Sequence, residues 1–143
     1  MADKNYKSVV GKRKEAVARL RLYTHALPEI SGVDVKKGDI FVNGKLIEKY
    51  FGGIVSKATY EEPFVITNTL GKFTITIKVE GGGPKGQMDA VIHAVARALS
   101  SIDEKSKAIL KKKGFLTRDA RIRERRKVGM GGKARRKKQS PKR

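Results

Sequence analysis

Apolar and polar residues alternate over residues 15–23: Ala16, Ala18, Leu20 and Leu22 fall on one side, and Val17, Arg19, Arg21 and Tyr23 on the other. A period of two over this length predicts a half-buried strand with a basic outer side. Phe73, Ile75 and Ile77 alternate with Thr74, Thr76 and Lys78, which predicts a second strand over residues 72–80. Ile40-Phe41-Val42 predicts a short strand, and the Asn43-Gly44 pair after it is a tight-turn signal. Beyond that turn, Leu46, Ile47, Tyr50 and Phe51 are spaced for a short helix that Gly52-Gly53 ends. A hairpin partner at Lys45-Leu46-Ile47 is the alternative. Residues 54–70 are ambiguous, with Pro63 breaking them and Phe64-Val65-Ile66 strand-like. Met88, Val91, Ile92, Val95, Ala98, Leu99 and Ile102 form one stripe at helical spacing. Asp103-Glu104 suits the start of a further helix, running through Ile109 and Leu110 to a stop at Gly114. Residues 25–38 read as a loop punctuated by Pro28, Gly32 and Gly38. Beyond Thr117 no period continues, and the glycines of residues 129–132 predict flexibility.

Charge changes this picture. Residues 111–143 hold sixteen of the chain's 34 lysines and arginines but only two acids, Asp119 and Glu124. Their apolar residues are too few to offset the entropy of ordering the chain. A segment of this kind needs a polyanion, and nucleic acid is the obvious one, since each neutralised phosphate releases counterions. The expected organisation is one small globular domain over residues 1–115 and an extended basic tail over residues 116–143. A membrane is not the expected partner: no apolar run approaches the roughly 20 residues that span a bilayer. The chain has no cysteine, so disulfides and thiolate metal sites are excluded. Residues 1–10 lack the apolar region of a secretory signal.

Gly81, Gly83 and Gly86 have the spacing of a dinucleotide fingerprint, after a strand and before a helix. No second parallel strand ending in an acid follows, so that reading fails. A phosphate loop of the Walker type also fails, because Gln87-Met88 follows Gly86. Two readings stay open: backbone N–H groups at a helix N-terminus that hold an RNA phosphate, or a plain connector. Asp89 and His93 are four apart on the polar side of the helix, without a nucleophile or a third partner, so no catalytic residue is assigned. Two lone histidines make no metal site, and no cofactor is expected. Arg118, Arg121, Arg123, Arg125 and Arg126 supply planar forks suited to phosphate and bases. Lys133, Arg135, Arg136, Lys137 and Lys138 form a basic block.

The run from Gly81 to Gln87, followed by Ala90, Ala94, Ala96, Arg97, Ala98 and Leu99, resembles the signature of the ninth protein of the small ribosomal subunit. Gly11-Lys12-Arg13-Lys14-Glu15-Ala16-Val17-Ala18-Arg19 is similar to that family's first strand, and Val42-Asn43-Gly44 with Tyr50-Phe51 to its next element. Gly114-Phe115-Leu116-Thr117-Arg118-Asp119-Ala120-Arg121, Glu124-Arg125-Arg126-Lys127 and the terminal Lys142-Arg143 resemble its tail, in a bacterial or organellar arrangement. The longer span 25–38, Ala120, Val128 and Pro141 depart from the family pattern.

The resemblance implies an α+β fold: a single small domain with a split β-α-β arrangement, like domain 2 of the small subunit's fifth protein, plus the tail. It implies a non-enzymatic constituent of the subunit head, in contact with small-subunit ribosomal RNA and neighbouring head proteins, with no membrane and no homo-oligomer. The expected ribosomal RNA contacts are Lys12, Arg13, Lys14, Gly82, Gly83, Lys85, Gln87, Arg118, Arg121, Arg125, Arg126, Lys127, Lys133, Arg135, Arg136 and Lys137. Lys142 and Arg143 are expected to reach the transfer RNA in the peptidyl site. The expected location is a cytoplasmic ribosome, with an organellar one still open. The alternative is a free nucleic-acid-binding protein such as an RNA chaperone or nucleoid protein.

Overall fold

The computed structural model describes residues 6–24, 28, 30, 34–125 and 128. In chain order the elements are β1 (Tyr6–Arg13), β2 (Ala16–Tyr23), β3 (Ile40–Val42), β4 (Lys45–Leu46), α1 (Ile47–Tyr50), α2 (Ile54–Ile66), β5 (Thr74–Glu80), α3 (Pro84–Ser100) and α4 (Glu104–Lys112). One sheet runs in the order β1-β2-β5-β3-β4. Strand β5 is inserted between β2 and β3, antiparallel to the first and parallel to the second. The expected α+β fold with a single small domain is therefore present.

The alternation in β2 does what its period implies. Ala16, Ala18, Leu20 and Leu22 are fully buried, and Ile75, Ile77 and Val79 of β5 join them. Helix α3 lies across β1 and β2 on this face. Its small residues Ala90 and Ala94 allow a very close approach at Gly11, where a Cβ would lie 2.6 Å from the Ala94 amide nitrogen. The stripe Met88, Val91, Val95, Ala98 and Leu99 fills the space between the sheet and the other helices.

Strand β1 is an element the sequence pattern hides. Among the described residues it is an edge strand, paired with β2, and edges carry charge rather than clean alternation. Side chains compensate: Lys7 Nζ donates to the Ser101 carbonyl at 2.6 Å, and the Arg97 guanidinium donates to the Val10 carbonyl.

Both readings of residues 45–51 hold in part. Asn43 (φ 49°) and Gly44 (φ 78°) take the left-handed pair of angles of a two-residue hairpin. Lys45–Leu46 then pairs with β3, and the helix begins at Ile47. Residues 64–66 are a correction. Phe64-Val65-Ile66 is the last turn of α2, and Pro63 lies inside that helix. Tyr60, Pro63 and Phe64 recur at i, i+3, i+4 on the buried side, and that contact outweighs the strand preference of the triplet.

Helix α4 ends as expected. The Asp103 carboxylate accepts from the Lys105 and Ser106 amides at 3.2 and 3.1 Å, the N-cap arrangement. At the other end Gly114 (φ 83°) donates to Lys111 and Phe115 to Leu110, a Schellman closure. Phe115 and Leu116 then pack against the core.

Candidate nucleic-acid interface

The turn from β5 into α3 is the glycine loop, and its glycines serve different ends. Gly81 (φ 73°) and Gly82 (φ 64°) have left-handed angles. A Cβ on Gly81 would lie 2.5 Å from the Glu15 carbonyl oxygen, and one on Gly82 would lie 3.1 Å from the Ala16 nitrogen. Both are used to press the loop against the β1–β2 turn. Gly86 belongs to the first turn of α3, where it is buried. Gly83 differs. It is the N-cap of α3 without a side-chain cap, its φ of −103° is ordinary, and nothing lies within 4 Å of a Cβ there. Gly81, Gly82 and Gly83 are all exposed, but only at Gly83, just before Pro84 at the first position of α3, is there room for a side chain.

A string of side chains sets this shape. Asn43 brackets Val79: its Oδ1 accepts from the Val79 amide at 2.9 Å and its Nδ2 donates to the Val79 carbonyl at 3.0 Å. The same Nδ2 reaches the Tyr50 hydroxyl at 3.4 Å, which donates to Gln87 Oε1 at 2.9 Å. Gln87 Nε2 donates to the Gly81 carbonyl at 3.1 Å. Gln87, expected at the RNA, therefore has both ends of its amide occupied within the domain. Asn43 and Tyr50 are positioning residues that the sequence reading left without a role. Their signal was the Asn-Gly turn and a tyrosine seven residues on, which by themselves read as turn and core.

The juxtaposition brings Lys12, Lys14 and Lys85 to the same end of the sheet as Gly83. Lys14 has φ of 52° in the hairpin turn and is exposed. Lys85 is largely exposed, with its Nζ 3.4 Å from Asp89. Arg13 points elsewhere. It lies 3.0 Å from Asp119 and 3.7 Å from Asp89, and its Nη1 donates to the Arg121 carbonyl at 3.0 Å. Its side chain is 17 % exposed. Arg13 thus straps the residues after α4 to the domain. Arg121 returns to Asp119 at 2.7 Å. The hydrogen bonds from Arg121, with Arg13 adding charge, hold the Asp119 carboxyl well below the usual carboxylate range. Arg118 and Arg125 are exposed. Arg126, Lys127, Lys133, Arg135, Arg136, Lys137, Lys142 and Arg143 lie outside the described residues.

His93 is on the polar side of α3 with Asp89, as expected, and is half-buried there beneath the residues that follow α4. It shares a pocket with Arg13, Asp89, Phe115 and Asp119. Its Nδ1 is buried without a hydrogen-bond partner among the described residues. Burial lowers its pKa, and Arg97 and Arg118 push it the same way, against a hydrogen bond with the Leu116 backbone. The imidazole is therefore neutral near pH 7 and serves as packing beneath the tail's root. Among the described residues no group of three or more His, Cys, Asp or Glu could hold a metal ion. No described helix is long and apolar enough to cross a membrane.

Comparison with known proteins gives the family. The family model described as ribosomal protein S9/S16 matches residues 11–143. The chain is 44% identical over 130 residues to the small ribosomal subunit protein uS9 of Maridesulfovibrio salexigens, covering 91% of this chain and 92% of that one. It is also 44% identical over 131 residues to the uS9 proteins of two strains of Dehalococcoides mccartyi, covering 91% of each partner. A match that begins in the β1–β2 hairpin and runs through the glycine loop and α3 to the last residue places the chain in the ribosomal protein S9/S16 family.

Proposed function

We propose that the chain is a structural, non-catalytic protein of the small ribosomal subunit that docks on ribosomal RNA through the hairpin end of its sheet. The observation that carries this reading is that Lys14, in the turn pressed by Gly81 and Gly82, and Lys85, in the first turn of α3 after the open Gly83, share the hairpin end of the sheet with Lys12, beside the strap that ties Arg13 to Asp119 and Arg121. Cations around a helix N-terminus form a phosphate site. Gly82 and Gln87 shape that site from within, and Arg13 aims the basic segment from its side. In this reading residues 1–115 dock, residues 116–121 are the strapped root of the tail, and the remainder follows RNA. Arg118, Arg121, Arg125, Arg126, Lys127, Lys133, Arg135, Arg136 and Lys137 meet ribosomal RNA phosphates. Lys142 and Arg143 reach the transfer RNA in the peptidyl site. The partners are small-subunit RNA and neighbouring proteins of the subunit head, in a ribosome of the cytoplasm.

The test is incorporation. A Lys14→Gln/Lys85→Gln chain competing with the normal chain should be under-represented in purified small subunits. Equal incorporation would remove the hairpin end from the RNA interface. A chain lacking Lys142 and Arg143 should still assemble but hold peptidyl-site transfer RNA less tightly, by about 1 kcal/mol or less. Unchanged transfer RNA affinity at fixed magnesium and salt would leave the tail as an assembly device alone.

A further inference from the structure

The sheet has a second face, turned away from α3. The strand register places Lys12 of β1, Arg19 and Arg21 of β2 and Lys78 of β5 on it, with Tyr6 and Tyr23 paired at its far end. Glu80 is the one acid that β1, β2 and β5 contribute there, and it lies between Arg19 at 3.4 Å and Lys78 at 3.1 Å. Arg21 has no carboxylate within salt-bridge reach among the described residues; its guanidinium lies 5.0 Å from the centre of the Tyr6 ring. The Tyr6 and Tyr23 rings are 5.5 Å apart and tilted by 50°. A groove of about 890 Å³ runs over this face.

The β3 side of the face is already covered by the chain itself. Thr74 Oγ1 accepts from the Gly38 amide at 3.2 Å and donates to the Lys36 carbonyl at 3.4 Å, and Phe41 is 2% exposed. On the β1–β2–β5 side the described residues leave the face open, with Pro28 and Ile30 along the edge of the groove. There Arg19 and Lys78 keep 58% and 69% of their side-chain surface exposed.

We propose that this open half is a second RNA-docking surface, distinct from the hairpin end. It takes a single-stranded stretch of ribosomal RNA. Phosphates meet Arg19, Arg21 and Lys78, and bases stack on Tyr23 and on the outer plane of the Arg21 guanidinium. Charge decides the class of partner, because four cations against one acid repel a basic ribosomal neighbour and attract a polyanion. Arginine beside tyrosine on an open sheet selects unpaired bases, since each offers a π-face while a duplex hides its own. Continuity supports the same partner. Lys12 is on this face and also at the hairpin end, so one RNA chain can pass from the glycine loop along roughly 20 Å of strand. This inference rests on the RNA-docking reading given above.

The test uses the full chain and a transcript of the small-subunit ribosomal RNA, titrated across a range of salt. Arg19→Gln/Arg21→Gln/Lys78→Gln should lower the magnitude of the log–log salt slope by roughly 2 to 3. Tyr23→Leu should weaken binding about tenfold with the slope unchanged, the mark of lost stacking. The single Arg21→Gln, which breaks no ion pair among the described residues, covers the case in which the triple variant folds poorly; it should lower the slope by about 0.7 to 0.9. If these variants bind with the normal slope and affinity while Lys14→Gln/Lys85→Gln loses both, the sheet face is not an RNA surface and the hairpin end stands. The reverse result would keep the sheet face and remove the hairpin end. Normal binding to the transcript with loss from purified subunits would mean that a protein covers the face, which also overturns the proposal.

Discussion

At Gly11 the backbone of β1 meets the backbone of α3, and there is no room for a methyl group. A Cβ there would come within 3 Å of Ala94 Cβ as well as its amide nitrogen, and backbone cannot swing aside as a long side chain can. Gly11→Ala should therefore destabilise the domain by about 1–3 kcal/mol, as overpacking does, seen as a lower urea midpoint. An unchanged midpoint would show that α3 is free to shift. Gly83 is the opposite case: with ordinary φ and open space, Gly83→Val should leave the urea midpoint nearly unchanged yet reduce incorporation into subunits. Gly82→Ala should do the reverse and cost stability first, because φ is positive and Ala16 is close. If Gly83→Val subunits form normally, the loop is a connector. In the sequence all these glycines look alike; what separates them is which strand turn or helix each one touches, and that depends on contacts far along the chain.

Among the elements, those with one wet and one dry side were legible. Strand β2, strand β5 and helix α3 each carry a strong period because one face meets the core and the other does not. Strand β1 was not legible, since its outer edge is charged and its inner contact is made by a glycine. Helix α2 was not, since Pro63 and a β-branched run speak against a helix that only Tyr60 and Phe64, docked in the core, make favourable. The site was half legible. Lys12, Lys14 and Lys85 could be named as candidates from the sequence, whereas the inward turn of Arg13 and the Asn43–Tyr50–Gln87 string depend on tertiary contacts. The joint between α3 and the chain after α4 gives a pH prediction. His93, with Arg97 and Arg118 as its cationic neighbours and Asp89 and Asp119 in its pocket, has a pKa below 6.5 when folded. As pH falls through 6.5 the unfolded chain takes up this proton first, so the folded state loses stability until the folded pKa is passed. The urea midpoint should fall between pH 7.5 and pH 5.5, and His93→Gln should flatten that dependence. Identical slopes for the two proteins would place the titration elsewhere.

For the molecule as a whole, charge is the dominant quantity: the formal net charge is +20 on 143 residues. Residues 128–143 carry seven cations and no acid. If about half of them meet phosphates, removing the segment should lower the magnitude of the salt slope for RNA binding by roughly 2 to 3. A slope that does not change would assign the electrostatic binding to the domain alone. The two surfaces described above make this separable, because charge removed from the sheet face, the hairpin end and the tail should subtract independently when the sites share no contacts.

The Arg13 strap has a mechanical meaning. A chain segment held at its root by a flexible joint can point anywhere, and the position of its far end then depends on whatever it meets. Here the root is tied by Arg13 to Asp119 and to the Arg121 carbonyl, and Arg13 ends the strand that Gly11 locks against α3. A pull on Arg121 is thus resisted by the sheet as well as by the link to α4. The tie therefore fixes where the chain leaves the domain and in which direction it starts at Arg121. Arg13→Gln should keep the fold yet speed amide exchange at residues 117–121, and unchanged exchange there would show that the tie carries no load.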